Sequence, residues 1–546
     1  MRIVIIGAVA AGTSAAAKAR RNSESAEIVI YERDGYISYS GCGMPYYLGG
    51  AVADFKELTP RDPAFFKTKY NVDIHIHHEV TAIDPIHKTV TIQNQETGVV
   101  IVDHYDKLVL ATGASAVIPP IPGANGKQVF VLRNINDMLR IKEFINIHKP
   151  TQVTIVGTGF IGLEVCENLV QLGIAVTLIE RLPQVTPGLD SDVAVYVLHH
   201  LRKKGVHVIL ETSAEAIDEQ AVYLENGVKV DGAMVLLSTG VRPNTALAKA
   251  AGVSLGIAGA IRVNPRMETN VEGIYACGDC IEQFHVVTGQ PVYRPLGSTA
   301  NKTGRIAGDQ ITGGSLEFRG ILGTGIFRVF GMTVAMTGLS EKEAREQGFD
   351  VVVCHNIKPN KPEYLGGEEM IIKGIADGRT GRLLGAQIVG KEGVDKRIDV
   401  FATAITFRAK VEDLFHLDLA YAPPFSTTKD PVMYTGMILD NVINRNRPLI
   451  TASKLDELKD SRAKIKVIDV RATAQYQVEH IENAENITQE NLRKIAGDLD
   501  PEIPCIVYCN KGITGNAAQN ILLNRGIKTV FNLSGGFKQY KAEQEE

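Results

Sequence analysis

Two cysteines stand where a thiol could do chemistry. Cys42 lies in YISYSGCGMPYYLGG, residues 36–50, among glycines, serines and tyrosines. It is a packed thiol, half of a disulfide, or a nucleophile that works alone. A cysteine five residues further on would supply an internal disulfide, but Tyr47 holds that position. A lone cysteine takes up electrons only when bonded to something external, either a small thiol in a mixed disulfide or an oxygen as sulfenic acid. Cys509 ends an apolar run and precedes a short loop with Gly512 and Gly515, then an Ala-containing helix. Loop N–H groups and a helix dipole aimed at that sulfur stabilise a thiolate and can hold an anionic sulfur species. Cys505, inside the preceding strand, reads as core. Cys277 and Cys280 form a C-x-x-C, yet no second Cys or Cys/His pair is spaced to complete a zinc site. Cys277 reads as a small apolar slot, and no metal is expected.

The elements that must position these thiols begin with two glycine turns. In RIVIIGAVAAGTS (2–14) an apolar strand meets Gly7, and Gly12 opens an Ala-rich helix. A second strand, 27–31, ends in Glu32. The pattern recurs in QVTIVGTGFIGLE (152–164), where Gly157, Gly159 and Gly162 make a full G-x-G-x-x-G. The strand 175–179 then ends in Glu180. Glycine lets the backbone turn tightly against a pyrophosphate, the helix N-terminus offers free N–H groups, and the acid accepts from a ribose diol. One such motif is weak, whereas two complete strand–turn–helix–strand–acid units are strong. The expected fold class is α/β with two Rossmann-like dinucleotide-binding domains. Glu180 favours NADH, and Arg181 beside it admits NADPH.

Length and composition agree. A chain of 546 residues suggests three or four domains. It is 45% hydrophobic and 22% charged, as in ordinary globular enzymes. The formal net charge of −4 gives no basic surface for nucleic acid. No apolar run approaches the ~18 residues of a membrane span. MRIVIIGA begins as a buried strand without the order of a signal peptide. Seven cysteines, sparse and odd in number, fit a reducing cytoplasm.

LVLATGA (108–114), VLLSTGVRPN (235–244) and TNVEGIYACGDC (269–280) add strand-to-Thr-Gly and strand-to-Gly-Asp turns. Together with the two glycine turns they resemble the two-dinucleotide flavoprotein disulfide reductases over roughly residues 1–445. The resemblance implies FAD in the first site, at Gly7, Ala10, Ala11, Gly12, Glu32, Arg33, Thr112, Gly113 and Asp279. NAD(P)H is implied in the second, at Gly157, Gly159, Phe160, Ile161, Gly162, Glu180, Arg181 and Gly240, with Phe160 as an aromatic gate. The expected boundaries are 1–112 and 257–322 for FAD, 113–256 for NAD(P)H, and 323–445 for an α+β interface domain of a homodimer.

SYSGCGMPYY resembles the single-cysteine branch of that family, which holds CoA-disulfide reductases, persulfide reductases, NADH oxidases and NADH peroxidases. The oxidases and peroxidases carry a His in the first glycine loop. Here Val9 and Ala10 stand there, which argues against peroxide or oxygen as the main substrate. KEGVDKRIDVFATAI (391–405) and DLAYAPPFSTTKDPV (418–432) resemble the CoA-disulfide reductases in particular. That likeness implies Tyr421, and Tyr364 of NKPEYLGG, reaching the partner subunit's cysteine as acid/base groups. A phenol, ordinarily titrating at about pH 10, donates to a leaving thiolate. It also implies coenzyme A as bound substrate, touched by Ser14, Lys18, Arg21, Ser38, Lys69, Lys302 and Lys429.

The character changes near 444. NRNRPLITASKLDELKDS leads through a linker, 446–455, into IKVIDVR, EHIENAENI and the Cys509 loop. This series resembles a rhodanese domain over 456–546, with Lys511, Ile513 and Thr514 departing from the common loop. The expectation is an FAD-dependent NAD(P)H reductase of CoA persulfide, CoA disulfide or polysulfide, coupled to sulfur transfer at Cys509. The alternatives are an NADH oxidase or peroxidase working through a sulfenic acid, and a redox sensor whose rhodanese domain only binds.

Overall fold

Short branched apolar runs that stop at glycine are buried strands, and four five-stranded sheets are built from them. The structure, a computed structural model, describes residues 1–545. It divides into two units, Met1–Pro183 with Val206–Gly323, and Gln184–Gly205 with the chain from Thr324 onward.

The first unit holds two parallel sheets. One runs in the order Ile274–Ala276, Lys107–Leu110, Arg2–Ile6, Glu27–Tyr31, Asp73–His75. The other runs His207–Ile209, Ala175–Ile179, Gln152–Val156, Val235–Leu237, Val129–Phe130. Ile3, Val4 and Ile5 are fully buried, as strands covered on both faces must be. Antiparallel meanders, 78–104 and 214–231, decorate these sheets. The helix Ala10–Asn22 lies against Gly297–Gln310, where small residues let the backbones approach.

The second unit holds an antiparallel sheet, Gly325–Val329, Met332–Gly338, Leu383–Gly390, Glu369–Asp377, Val351–Pro359. A parallel sheet follows, Leu449–Ile450, Val530–Leu533, Cys505–Tyr508, Lys466–Asp469, Glu485–Asn486. Residues 184–205, inside the stretch expected for NAD(P)H, belong to this unit. Their helix Ser191–Lys203 brings Asp192 to the buried Lys373, 2.7 Å away, and to His355, 2.9 Å away. His355 also meets the Ser534 hydroxyl at 2.9 Å. A buried lysine is tolerable only with such partners, and Asp190 and Glu341 complete them.

Candidate functional site

The two glycine turns fold alike. Gly7 and Gly157 have φ of +104° and +102°, and a Cβ on either would lie 2.3 Å from the carbonyl of Ala111 or Ser238. Only glycine fits both demands. Each turn opens a helix, Ala10–Asn22 or Phe160–Gln171, whose N-cap, Val9 or Gly159, supplies no side-chain bond. The first-turn N–H groups at Ala10, Ala11 and Gly12, and at Phe160, Ile161 and Gly162, therefore suit a pyrophosphate.

The acids close the same loops. The Glu32 carboxylate accepts from the Ala8 N–H at 2.7 Å and the Asp34 N–H at 3.0 Å. Burial pushes its carboxyl up, against those two bonds. Glu180 accepts from the Thr158 N–H at 3.0 Å, the Thr158 hydroxyl at 2.7 Å and the Leu182 N–H at 3.1 Å. A carboxylate offers about four acceptor positions, so each acid keeps capacity for a ribose diol. Arg33 and Arg181 are exposed beside them. Thr112 donates its hydroxyl to the Asn244 carbonyl at 2.6 Å, while Asn244 N–H reaches Gly113 O at 2.9 Å. Gly240 has open space at its Cβ position.

Asp279 keeps one acceptor that suits a hydroxyl donor. Its Oδ2 takes Arg133 Nη2 at 2.8 Å, whereas its buried Oδ1 has no hydrogen-bond partner among the described residues. A buried acceptor left unpaired is costly, so the position fits a sugar or ribityl hydroxyl. Arg133, which sequence reasoning did not single out, lies 146 residues away in the chain. Cys280 donates its thiol to the Cys277 carbonyl at 3.2 Å, and both cysteines are fully buried.

Cys42 sits in the short 3₁₀ turn Gly41–Gly43, ahead of the helix Met44–Leu48. Of seven free cysteines it is the one exposed, and Tyr47 packs edge-on against Phe55 at 6.4 Å. Ser38, at φ +48°, ties this segment to the first glycine turn through its N–H on Ala8 O at 2.9 Å. Although Cys42 reaches solvent, surrounding protein desolvates its thiol and pushes it up. The carboxylates of Glu164 and Asp279 act in the same direction, and Arg133 opposes them. Burial pushes the Glu164 carboxyl itself up to about 7, with a hydrogen bond from Tyr46 working against that. Glu164 ends the quoted second glycine motif, yet its role beside Cys42 required the fold.

The cations expected for coenzyme A fall into groups. Ser14 donates to Asn301 Oδ1 at 2.7 Å, and Lys18 pairs with Asp309 at 3.0 Å, both on the helix that carries the exposed Lys302. Arg21 and Lys69 flank the Tyr70 ring at 5.6 and 5.7 Å. Lys429, in the second unit, lies 5.9 Å from the centre of the Tyr434 ring. Tyr364 and Tyr421, also in the second unit, are 76% and 49% exposed.

Cys509 is held differently. It is buried at the end of the strand Cys505–Tyr508, before the uncapped helix Ile513–Asn524. Phe537 N–H donates to Cys509 O at 2.8 Å and Lys538 N–H to Asn510 O at 3.0 Å. Gly536, at φ +64°, makes that grip possible, because a Cβ there would sit 2.3 Å from Cys509 O. Asn532 donates to Gly512 O at 2.9 Å, while its buried Oδ1 has no partner among the described residues. Asp469 and Arg471, of the D-V-R series, pair at 2.7 Å, and the guanidinium covers Phe537 at 4.1 Å. Lys511 and Lys538 both pair with Glu369 of the antiparallel sheet. Burial pushes the Cys505 thiol up to about 11, as befits a core residue.

Known proteins share this organisation. Residues 1–300 match the family model of the pyridine nucleotide-disulphide oxidoreductases, 326–431 their dimerisation domain, and 451–543 a rhodanese-like domain. A CoA-dependent NAD(P)H sulfur oxidoreductase of Pyrococcus furiosus is 37% identical over 445 residues, 80% of this chain and 99% of that protein. The crystal structure of reduced CoADR-RHD from Bacillus anthracis matches with a TM-score of 0.97 at 37% identity, covering 99% of this chain and 98% of that one. A NAD-dependent persulfide reductase from A. fulgidus matches with a TM-score of 0.92 at 36% identity, covering 99% and 100%. The paired glycine turns, the orphaned acceptor of Asp279 and these likenesses lead to one conclusion: the chain belongs to the pyridine nucleotide-disulphide oxidoreductases, enzymes that use FAD and NAD(P)H, and continues into a rhodanese-like domain.

Proposed function

We propose that the protein reduces CoA persulfide, CoA disulfide or a related polysulfide with NAD(P)H, through Cys42 alone, and that Cys509 passes sulfane sulfur to or from CoA. The observation that carries this reading is Cys42 itself. It is the one exposed cysteine of seven, and Tyr47 stands in the place of an internal partner. The other half of a redox disulfide must then arrive with the substrate. Bound FAD, reduced by NAD(P)H, supplies the electron pair that cleaves it.

The protein's own residues do the rest. Cys42 thiolate attacks a sulfur of CoA disulfide, forming Cys42–S–S–CoA and releasing CoA thiolate. With CoA persulfide, attack on the CoA-bearing sulfur releases hydrosulfide instead. Cleavage of the mixed disulfide by two electrons returns Cys42 thiolate and CoA thiolate. Tyr364 and Tyr421 protonate the leaving thiolates from the partner subunit, an assignment their exposure and the dimerisation domain support. Ser14, Lys18, Arg21, Ser38, Lys69, Lys302 and Lys429 hold the CoA moiety. At Cys509, the thiolate takes the outer sulfur of a sulfane donor as a persulfide and releases the rest of the donor as its anion; an acceptor thiolate then removes that sulfur and frees the Cys509 thiolate, each transfer breaking one S–S bond and forming one. No described helix is long and apolar enough to cross a membrane. The scarcity of cysteines fits a reducing cytoplasm, and the dimerisation domain fits a homodimer.

The test is a mass spectrum. Protein treated with CoA disulfide, without reductant, should carry a CoA adduct on the Cys42 peptide that vanishes in Cys42→Ser. An adduct-free Cys42, together with faster NADH consumption on peroxide than on CoA persulfide, would sink the reading in favour of an oxidase or peroxidase.

A further inference from the structure

One buried guanidinium holds both segments that carry the exposed tyrosines. Arg397, on the helix Val394–Thr406, is 1% exposed and among the largest fully buried side chains. Its Nη2 donates to the Asn360 carbonyl at 3.0 Å. Asn360 begins the stretch that turns through Glu363–Leu365 and presents Tyr364. The same nitrogen reaches the Ser426 hydroxyl at 3.1 Å and Asp430 Oδ2 at 2.9 Å, and its Nε lies 3.2 Å from that oxygen. Ser426 and Asp430 end the irregular strap between the helices Asp413–His416 and Pro431–Arg445, which presents Tyr421. Ser426 in turn donates to Asp430 Oδ2 at 2.7 Å. Next to Arg397, Lys396 Nζ donates to the carbonyl of Ala420 at 3.3 Å, one residue before Tyr421.

The chemistry of the group matters. Guanidinium is planar and forked, so it can bond a carbonyl on one strap and a carboxylate on the other in a fixed geometry. Burying it is unfavourable unless every N–H is met. Here Nη1 is also used, on the Gly393 carbonyl at 3.1 Å. Such a buried charge does more than fill space, because an apolar side chain would fill it at lower cost. It fixes the register of two otherwise irregular loops, and both loops carry an exposed phenol.

We propose that Arg397, assisted by Lys396, is the positioning residue that sets Tyr364 and Tyr421 as one acid/base pair. This rests on the reading that the two phenols protonate leaving thiolates. Neither residue needs to touch substrate. The helix Val394–Thr406 acts as a common mount, so that moving one tyrosine moves the other.

The experiment uses the full FAD-loaded protein and compares Arg397→Lys with Lys396→Met. Lys396 is only half-buried, so the second variant keeps the test open where the first fails to fold. NADH-dependent turnover of CoA disulfide should fall about tenfold in Arg397→Lys and about threefold in Lys396→Met, through kcat, with KM for CoA disulfide within about twofold. NADH-dependent reduction of ferricyanide, which needs no phenol, should stay at the parent rate in both. In a Tyr364→Phe/Tyr421→Phe background the added loss should shrink to less than about twofold, because the clamp then has nothing to position. A loss that persists in full in that background, or one shared by ferricyanide reduction, overturns the proposal. Parent-level turnover in the double phenylalanine protein overturns the acid role of the tyrosines instead, and the clamp with it.

Discussion

The surroundings of Cys42 and of Cys509 pose opposite problems. Cys42 stands exposed on a three-residue turn, and burial together with two carboxylates pushes its thiol up. Cys509 is buried, its carbonyl gripped by Phe537 N–H and its loop leading into an uncapped helix. The first thiol is open to a large visitor, and nothing nearby in the sequence completes its disulfide. The second is buried at a strand end, and its backbone is fixed by the Phe537 and Lys538 N–H groups ahead of a helix N-terminus. An exposed turn depends on what comes to it, whereas a cradle depends on its own backbone geometry. The two sites should therefore fail in different ways.

The sharpest break is removal of each sulfur in turn. Cys42→Ser should lower CoA-disulfide turnover by at least about a thousandfold, since the bond-forming atom is gone. Sulfur transfer from thiosulfate to a thiol acceptor should hold in that variant. Cys509→Ser should show the reverse, with reductase turnover retained and sulfur transfer lost. Paired assays of NADH consumption and of sulfite release read both. Loss of both activities in either variant would mean that the two cysteines serve one reaction.

A smaller effect probes the cradle through its backbone. Gly536→Ala puts a Cβ 2.3 Å from Cys509 O at a φ of +64°. Strain of this kind costs about 1–3 kcal/mol, so the loop must shift or the turn must relax. Sulfite release should fall about thirtyfold at an unchanged rate of CoA-disulfide reduction, with a lower midpoint for thermal unfolding of the second unit. The matching change on the exposed side, Gly41→Ala, meets only the flexible end of Met44 at 3.9 Å and should be nearly silent. Equal sensitivity at the two glycines would erase the contrast between turn and cradle.

Local patterns explain why much of this was readable beforehand. A strand, a glycine turn, a helix and an acid-ended strand are contiguous, so Gly7 to Glu32 and Gly157 to Glu180 announce themselves by spacing. The strand, loop and helix around Cys509 are legible for the same reason, because they are consecutive. What the sequence conceals is pairing across distance. Arg133 meets Asp279, 146 residues on, and Arg397 meets Asp430, 33 residues on. Such partners are chosen by packing of separate elements, and an isolated arginine in a helix looks like surface charge. The strand-end acids show the limit from the other side. Glu32 and Glu180 are visible as strand-end carboxylates, but their bonds to their own glycine loops emerge only when the turn closes. The segment 184–205 likewise reads as part of a continuous nucleotide-binding stretch, and its helix joins the second unit because Asp192 is needed beside the buried Lys373 and His355.

The mildest change sharpens the picture of Cys42. The Glu164 carboxyl titrates at about 7, and once ionised it raises the energy of the Cys42 thiolate. Below about pH 6 the carboxyl is largely protonated and exerts little field on the sulfur. Above about pH 8 it is largely ionised, and the thiol resists deprotonation. Glu164→Gln removes that charge while keeping the shape and a polar group for Tyr46. Alkylation of Cys42 by iodoacetamide should then run about threefold faster at pH 8 in the variant, and at the same rate as the parent at pH 6. Cys509, in the other unit, should alkylate identically in both proteins at both values. An unchanged rate at pH 8 would leave the raised Cys42 thiol to desolvation, the cause that already ranks first, and to Asp279. Faster alkylation confined to the higher pH would show that a carboxylate on the second glycine helix tunes the exposed cysteine.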